Sequence, residues 1–102
     1  MAHDVRADEL RSRLDSGEPV FVLDVREPEE VAEWPFPGAH HVPLGELGER
    51  TGELPLDAPV VVVCHLGTRS ALAAEALTRA GWPAESLAGG IEAWEASAPE
   101  RR

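Results

Sequence analysis

Short hydrophobic runs, separated by Pro and Gly, divide this chain into a series of predicted strands and helices. Val20–Val25 and Val60–Val63 are apolar runs that are too short for buried helices and rich in branched residues, which predicts two buried strands. A short strand is expected at Ala39–Val42, which stands between turn residues, and one more at Glu85–Leu87.

Apolar positions with helical spacing predict helices between these strands. The clearest helix covers Ser70–Ala80, because its alanines and leucines share one face and Gly81 followed by Pro83 ends it. The remaining predicted helices are Ala7–Asp15, Pro28–Trp34 and Ile91–Ser97, with a weaker helical turn at Leu44–Arg50.

The alternation of strands and helices predicts an α/β fold with a mainly parallel central β-sheet flanked by helices on both faces. With 102 residues, we expect a single domain over residues 1–102. Functional groups in such sheets lie beyond the carboxyl ends of the strands. The two long strands end at Asp24 and Cys64, which makes this edge the expected site.

Composition and charge exclude several classes of function. Acidic residues outnumber basic ones 19 to 9, for a net charge of -10, whereas nucleic acids and anionic membranes are bound by basic surfaces. We therefore expect no nucleic-acid or membrane partner, and a monomer or a weak homo-oligomer. Without a signal-like or membrane-spanning apolar stretch, the expected location is cytoplasmic.

The chain has one cysteine, which excludes an internal disulfide, a C-x-x-C redox pair and a cysteine zinc site. The adjacent His40 and His41 would point to opposite faces of a strand, so they are not expected to share a metal ion. We predict no metal site, and the single thiol at Cys64 becomes the candidate reactive group.

Cys64 lies between a strand and a helix, in a loop whose backbone N–H groups are expected to converge on an anion. Gly67 supplies the conformational freedom for a sharp curl. A thiol at the base of such a loop ionises readily, and the guanidinium of Arg69 is expected over the rim. The resulting thiolate would be a nucleophile surrounded by hydrogen-bond donors.

Other polar residues near this edge have weaker assignments. His65 either tunes the thiolate or faces solvent, and the hydroxyls of Thr68 and Ser70 either join the loop or cap the helix, with capping favoured for Ser70. Asp24 and Arg26 are expected to form structural hydrogen bonds or ion pairs rather than to catalyse. Trp82 and Trp94 are expected to pack in the core.

Four segments of the chain, in order, resemble the rhodanese family of sulfurtransferases. They are Leu23–Glu30 (D-V-R-E-x-x-E), Pro37–Pro43 (P-G-A-x-x-I-P), the loop from Cys64 to Ser70, and Leu87–Trp94 (G-G-x-x-x-W). The family has Gly-His-Ile before P-G-A, where this chain has Trp34-Pro35-Phe36. The resemblance implies that Cys64 forms a persulfide within a loop made by His65, Leu66, Gly67, Thr68, Arg69 and Ser70.

The resemblance implies transfer of a sulfane sulfur from a small anionic donor such as thiosulfate to cyanide, a thiol or a carrier protein, without a cofactor. Three alternatives stay open: a non-catalytic rhodanese-like binding module, a small cysteine-based phosphatase or arsenate reductase, and a sulfur-relay partner whose persulfide serves a specific acceptor protein. Phosphatases of the related fold have five residues between Cys and Arg. Four separate Cys64 from Arg69, and the tighter ring favours sulfur transfer.

Overall fold

The computed structural model describes residues 3–98, and its centre is a five-stranded parallel sheet in the order β1-β5-β4-β2-β3. The strands are β1 (His3–Val5), β2 (Phe21–Asp24), β3 (His40–His41), β4 (Val60–Val63) and β5 (Ala84–Leu87). The helices are α1 (Ala7–Asp15), α2 (Pro28–Glu33), α3 (Thr68–Arg79) and α4 (Gly90–Ala96), with 3-10 turns at Leu44–Glu49 and Thr51–Glu53. The expected α/β architecture with a parallel sheet is confirmed.

The valines of β4 alternate between two hydrophobic cores, one on each face of the sheet. Val60 and Val62 pack with α3 and the 3-10 turns, whereas Val61 and Val63 pack with α1 and α4. Both faces of the sheet are therefore covered by helices, as expected. Trp82 borders the first core and Trp94 the second, each partly buried rather than central.

The structure contains two elements that the sequence analysis did not predict, and one predicted helix starts earlier than expected. The N-terminal strand β1 was not expected. Only Val5 of its three residues is buried, so the sequence shows no alternation of apolar and polar residues there. The 3-10 turn at Thr51–Glu53 was also not expected. Finally, α3 begins at Thr68 rather than at Ser70, since Gly67 with φ of 99° provides the helix start.

A buried ion pair fixes the segment that follows β2. Asp24 and Arg26 are 1% and 2% exposed, and Arg26 Nη2 lies 2.8 Å from Asp24 Oδ2. The same guanidinium donates to the backbone carbonyls of Glu30 at 3.4 Å and Trp34 at 2.8 Å. The structural role expected for both residues is confirmed, because together they hold α2 against the carboxyl end of the sheet.

The adjacent histidines have separate partners, as their opposite directions predicted. His40 Nε2 lies 2.6 Å from Glu53 Oε1, and His41 Nε2 lies 2.7 Å from the carbonyl of Arg26. Within residues 3–98 there is no group of three or more His, Cys, Asp or Glu side chains placed to hold a metal ion. No helix of this part of the chain has the length and apolarity needed to cross a membrane.

Replacing Asp24 with Ala is expected to lower the free energy of unfolding by about 3–5 kcal/mol, because it leaves the Arg26 charge buried without its partner. Urea denaturation measures this change. The control is Glu75→Ala, which removes the acid of an exposed pair with Arg79 and should cost no more than about 0.5 kcal/mol. Equal effects of the two substitutions would contradict the structural role of the buried pair.

Candidate active site at the carboxyl end of the sheet

Cys64 follows β4 directly, and its sulfur lies at the floor of a loop that closes onto the first turn of α3. The side chain is 1% exposed. Gly67 N–H donates to Sγ at 3.1 Å and Ser70 N–H at 3.3 Å, and Ser70 Oγ lies 3.4 Å from Sγ. The convergence of backbone donors that was predicted for this loop is therefore present in the structure.

These contacts set the ionisation of the thiol. Burial raises the pKa of Cys64, while hydrogen bonds from the Ser70 hydroxyl and from the N–H groups of Ser70, Gly67 and Arg69 lower it by more. The net direction is a pKa below the ordinary value of 9.0. Cys64 therefore ionises more readily than an ordinary cysteine to the thiolate, which is the nucleophilic form.

The side chain of Ser70 does not cap α3, contrary to the favoured assignment. The N-cap is Gly67, so Ser70 is the third residue of the helix and its buried hydroxyl faces inward. It contacts both Cys64 Sγ and Ser86 Oγ. Because the helix starts two residues earlier than predicted, its first turn carries Thr68, Arg69 and Ser70 past the sulfur.

Arg69 contributes its backbone N–H to the loop, whereas its guanidinium is hydrogen-bonded to a carboxylate of α2. Nη1 and Nη2 donate to the two carboxylate oxygens of Glu30 at 2.6 and 2.8 Å. Hydrogen bonds from Arg69 hold the pKa of Glu30 at about 2, below its ordinary value of 4.5. The pair ties the loop to α2, a contact that the sequence analysis did not predict.

The outer rim of the loop is aromatic and apolar. The rings of His65 and Trp34 meet edge to face with centroids 5.8 Å apart, and His65 Nε2 lies 3.7 Å from a carboxylate oxygen of Glu92. Leu66 is 58% exposed. Trp34 and Phe36 belong to the segment that departs from the family pattern, and here Phe36 is buried.

Backbone hydrogen bonds connect the start of α4 to the Cys64 loop. Ile91 N–H donates to the Cys64 carbonyl at 2.8 Å and Glu92 N–H to the His65 carbonyl at 3.1 Å. Gly90 has φ of 66°, and a Cβ there would collide with the His65 carbonyl and lie 2.6 Å from the Cys64 oxygen. The close approach of the two backbones therefore requires glycine at this position.

Comparison with known proteins agrees with this geometry. Residues 6–97 match the model of the rhodanese-like domain. The chain belongs to the rhodanese-like domain family. The family resemblance and the fold that it implied are both confirmed.

Rhodanese-like relatives match most of this chain. A sulfurtransferase of Allochromatium vinosum is 35% identical over 95 residues, which cover 92% of this chain and 89% of that protein. Thiosulfate sulfurtransferase GlpE of Pseudomonas putida is 35% identical over 95 residues, covering 92% of this chain and 83% of GlpE. The chain spans only 43% of the length of a longer matched relative, a Bacillus subtilis protein named as a sulfur carrier.

A solved structure supports the same assignment. The rhodanese-related protein of Thermoplasma volcanium superimposes with a TM-score of 0.86 at 33% sequence identity, covering 95% of both chains. The two chains thus share one fold over nearly their whole length.

Substituting Gly90 with Ala is expected to destabilise the protein and to displace the Cys64 loop, because the added methyl has no room. Gly81→Ala is the matched control, since Gly81 also has a positive φ of 105° but nothing within 4 Å of the added atom. Thermal and urea unfolding should show a cost of about 1–2 kcal/mol for Gly81→Ala and about 1–3 kcal/mol more for Gly90→Ala. Similar costs at both positions would mean that the α4 contact is not tight.

Acid should weaken the contact between α2 and the loop. Because the folded pKa of Glu30 is about 2 and its ordinary value 4.5, the stability from the pair is present above pH 4.5 and is lost as the pH falls towards 2. In urea titrations over this range, the parent should lose stability more steeply than Glu30→Gln, which cannot titrate. Parallel curves would show that Glu30 is not held by Arg69.

Proposed function

We propose that this protein is a sulfurtransferase that carries a sulfane sulfur as a persulfide on Cys64. The observation that carries the proposal is the convergence of two backbone N–H donors, those of Gly67 and Ser70, on a buried Sγ, with the Ser70 hydroxyl oxygen 3.4 Å from the same sulfur. Relatives named as sulfurtransferases, which match over 83–89% of their length, support the same reaction class.

The first half-reaction takes sulfur from a donor such as thiosulfate. The Cys64 thiolate attacks the outer sulfur, a new S–S bond forms, and the old S–S bond breaks so that sulfite leaves with the electron pair. The terminal sulfur of the Cys64 persulfide then carries the negative charge. Donors that stabilise the thiolate also suit this anion, so neither state is left without partners.

The second half-reaction regenerates the thiolate. A nucleophilic acceptor, for which cyanide, a thiol or a carrier protein are candidates, bonds to the outer sulfur. The persulfide S–S bond breaks, and its electrons return to Cys64. No cofactor enters either step, because the cysteine itself holds the transferred atom.

The guanidinium groups of Arg69 and Arg26 are each paired with a carboxylate, so the backbone and hydroxyl groups of the loop are the donors left to bind an anionic sulfur donor. Arg69 is paired with Glu30, Arg26 with Asp24, and His65 lies near Glu92. The four-residue spacing between Cys64 and Arg69, and a guanidinium turned to Glu30, speak against a phosphatase. Such an enzyme needs cationic groups over the transferred phosphate.

Intact-mass measurement tests the proposal. Reduced protein treated with thiosulfate should gain one sulfur, and cyanide should remove it with formation of thiocyanate. Cys64→Ser should gain none while keeping the parent unfolding curve, because serine preserves the shape of the side chain and removes the carrier atom. A gain of the same mass by the Ser variant would contradict the proposal, because it would show that the added mass is not a Cys64 persulfide.

The same samples distinguish the alternatives. A protein with a free thiol that takes no sulfur from thiosulfate or from a small-molecule persulfide would favour a binding module. Release of phosphate from a phosphate monoester, lost in Cys64→Ser, would favour the phosphatase reading instead.

A further inference from the structure

Ser86 is a buried hydroxyl outside the Cys64 loop, and none of the steps above uses it. It lies in β5, is 1% exposed, and its Oγ is 2.8 Å from Ser70 Oγ. Within residues 3–98, Ser70 is the side-chain partner that Ser86 Oγ contacts. Since burying a hydroxyl is unfavourable without a hydrogen bond, the pairing points to a role in orienting Ser70.

The two hydroxyls and the sulfur form a chain with two links, Ser86 to Ser70 and Ser70 to Cys64. With Cys64 as a thiolate, the chain contains two protons: Ser86 donates to Ser70, and Ser70 donates to Sγ. With a neutral thiol, the S–H of Cys64 can donate to Ser70 Oγ and Ser70 to Ser86 Oγ, which leaves the Ser86 hydroxyl hydrogen without an acceptor in the chain. Ionisation makes the sulfur a much stronger acceptor, and in that state both hydroxyls donate along the chain, Ser86 to Ser70 and Ser70 to Sγ.

We propose that Ser86 is a positioning residue that directs the Ser70 hydroxyl towards Cys64 Sγ and thereby favours the thiolate. Without Ser86, Ser70 loses the donor that occupies its lone pairs, and its O–H is free to turn away from the sulfur. The proposal deepens the role given to Cys64 above and rests on it. It concerns the ionisation of the thiol, which can be measured without any sulfur donor.

Three pairs of ionisable side chains lie on the elements around Cys64. They are the Asp24–Arg26 pair at the end of β2, Glu30 of α2 with Arg69 of α3, and His65 of the loop with Glu92 of α4. None of these ionisable side chains forms a hydrogen bond to Sγ within the described part of the chain. The hydroxyl chain is the side-chain contribution that acts on the sulfur directly.

The test is the pH dependence of Cys64 alkylation by iodoacetamide, followed by intact mass. In Ser86→Ala the midpoint of the rate profile should move up by about half to one pH unit, as expected for weakening a hydrogen bond to an anion. At high pH, where the thiol is fully ionised in both proteins, the variant should react at least as fast as the parent. If Ser86→Ala only disturbed the structure, the alkylation rate at high pH would fall or the pH profile of the rate would broaden, without a shift of its midpoint.

Two substitutions of Ser86 with the same side-chain shape distinguish the effect of the hydroxyl from the effect of the shape. Ser86→Thr keeps the hydroxyl and should retain the parent midpoint, whereas Ser86→Val has the same shape as Thr and should shift it like Ala. This pair also keeps the test valid if the alanine variant does not fold. Thr78→Val, which removes a hydroxyl between α3 and the Ala84 carbonyl, should leave the midpoint unchanged.

A double variant tests whether Ser86 acts through Ser70. Ser70→Ala alone should raise the midpoint, and adding Ser86→Ala should raise it no further. An unmoved midpoint in Ser86→Ala, or the same shift in both backgrounds, would overturn the proposal. Because alkylation uses no sulfur donor, these results stand apart from the thiosulfate experiment, so failure of either proposal can be recognised separately.

Discussion

The geometry around Cys64 depends on the close backbone approach between the start of α4 and the loop that follows β4. The carbonyls of Cys64 and His65 accept from Ile91 and Glu92 N–H, outside the loop. The N–H groups of Gly67 and Ser70 are therefore left to meet at Sγ. No side chain fits between the two backbones, which makes glycine at the start of α4 a requirement of the site rather than of the helix.

Charge in this region is balanced locally, although the whole chain is strongly acidic. The buried Asp24–Arg26 pair holds α2, and α2 in turn presents Glu30 to Arg69. In each pair, a carboxylate neutralises the charge of a guanidinium that lies near the loop. The hydrogen-bond partners of the sulfur are consequently the dipoles of the Gly67 and Ser70 N–H groups and of the Ser70 hydroxyl, at 3.1–3.4 Å. In the function we propose, these dipoles serve the thiolate and the persulfide alike, since both carry one negative charge.

Ser70 links the Cys64 sulfur to strand β5. Its N–H and its hydroxyl both contact the sulfur, and the hydroxyl also contacts Ser86 of β5. A side chain that only capped the helix could not do this. The start of α3 at Thr68 rotates Ser70 inward, and the sheet places Ser86 opposite it. Fold and thiol chemistry are thus coupled through one pair of hydroxyls.

The sequence by itself determined most elements and the position of the site. Valine runs bounded by Pro form strands because the pattern is local, and Cys64 at the end of one such run necessarily lies at the carboxyl edge of a parallel sheet. Tertiary structure decided which groups meet there. Glu30 and Arg69 are 39 residues apart and Ser70 and Ser86 16 apart, and strand β1 is defined mainly by its pairing with β5. Such contacts depend on where packing brings distant segments together, which no local period of hydrophobic residues encodes.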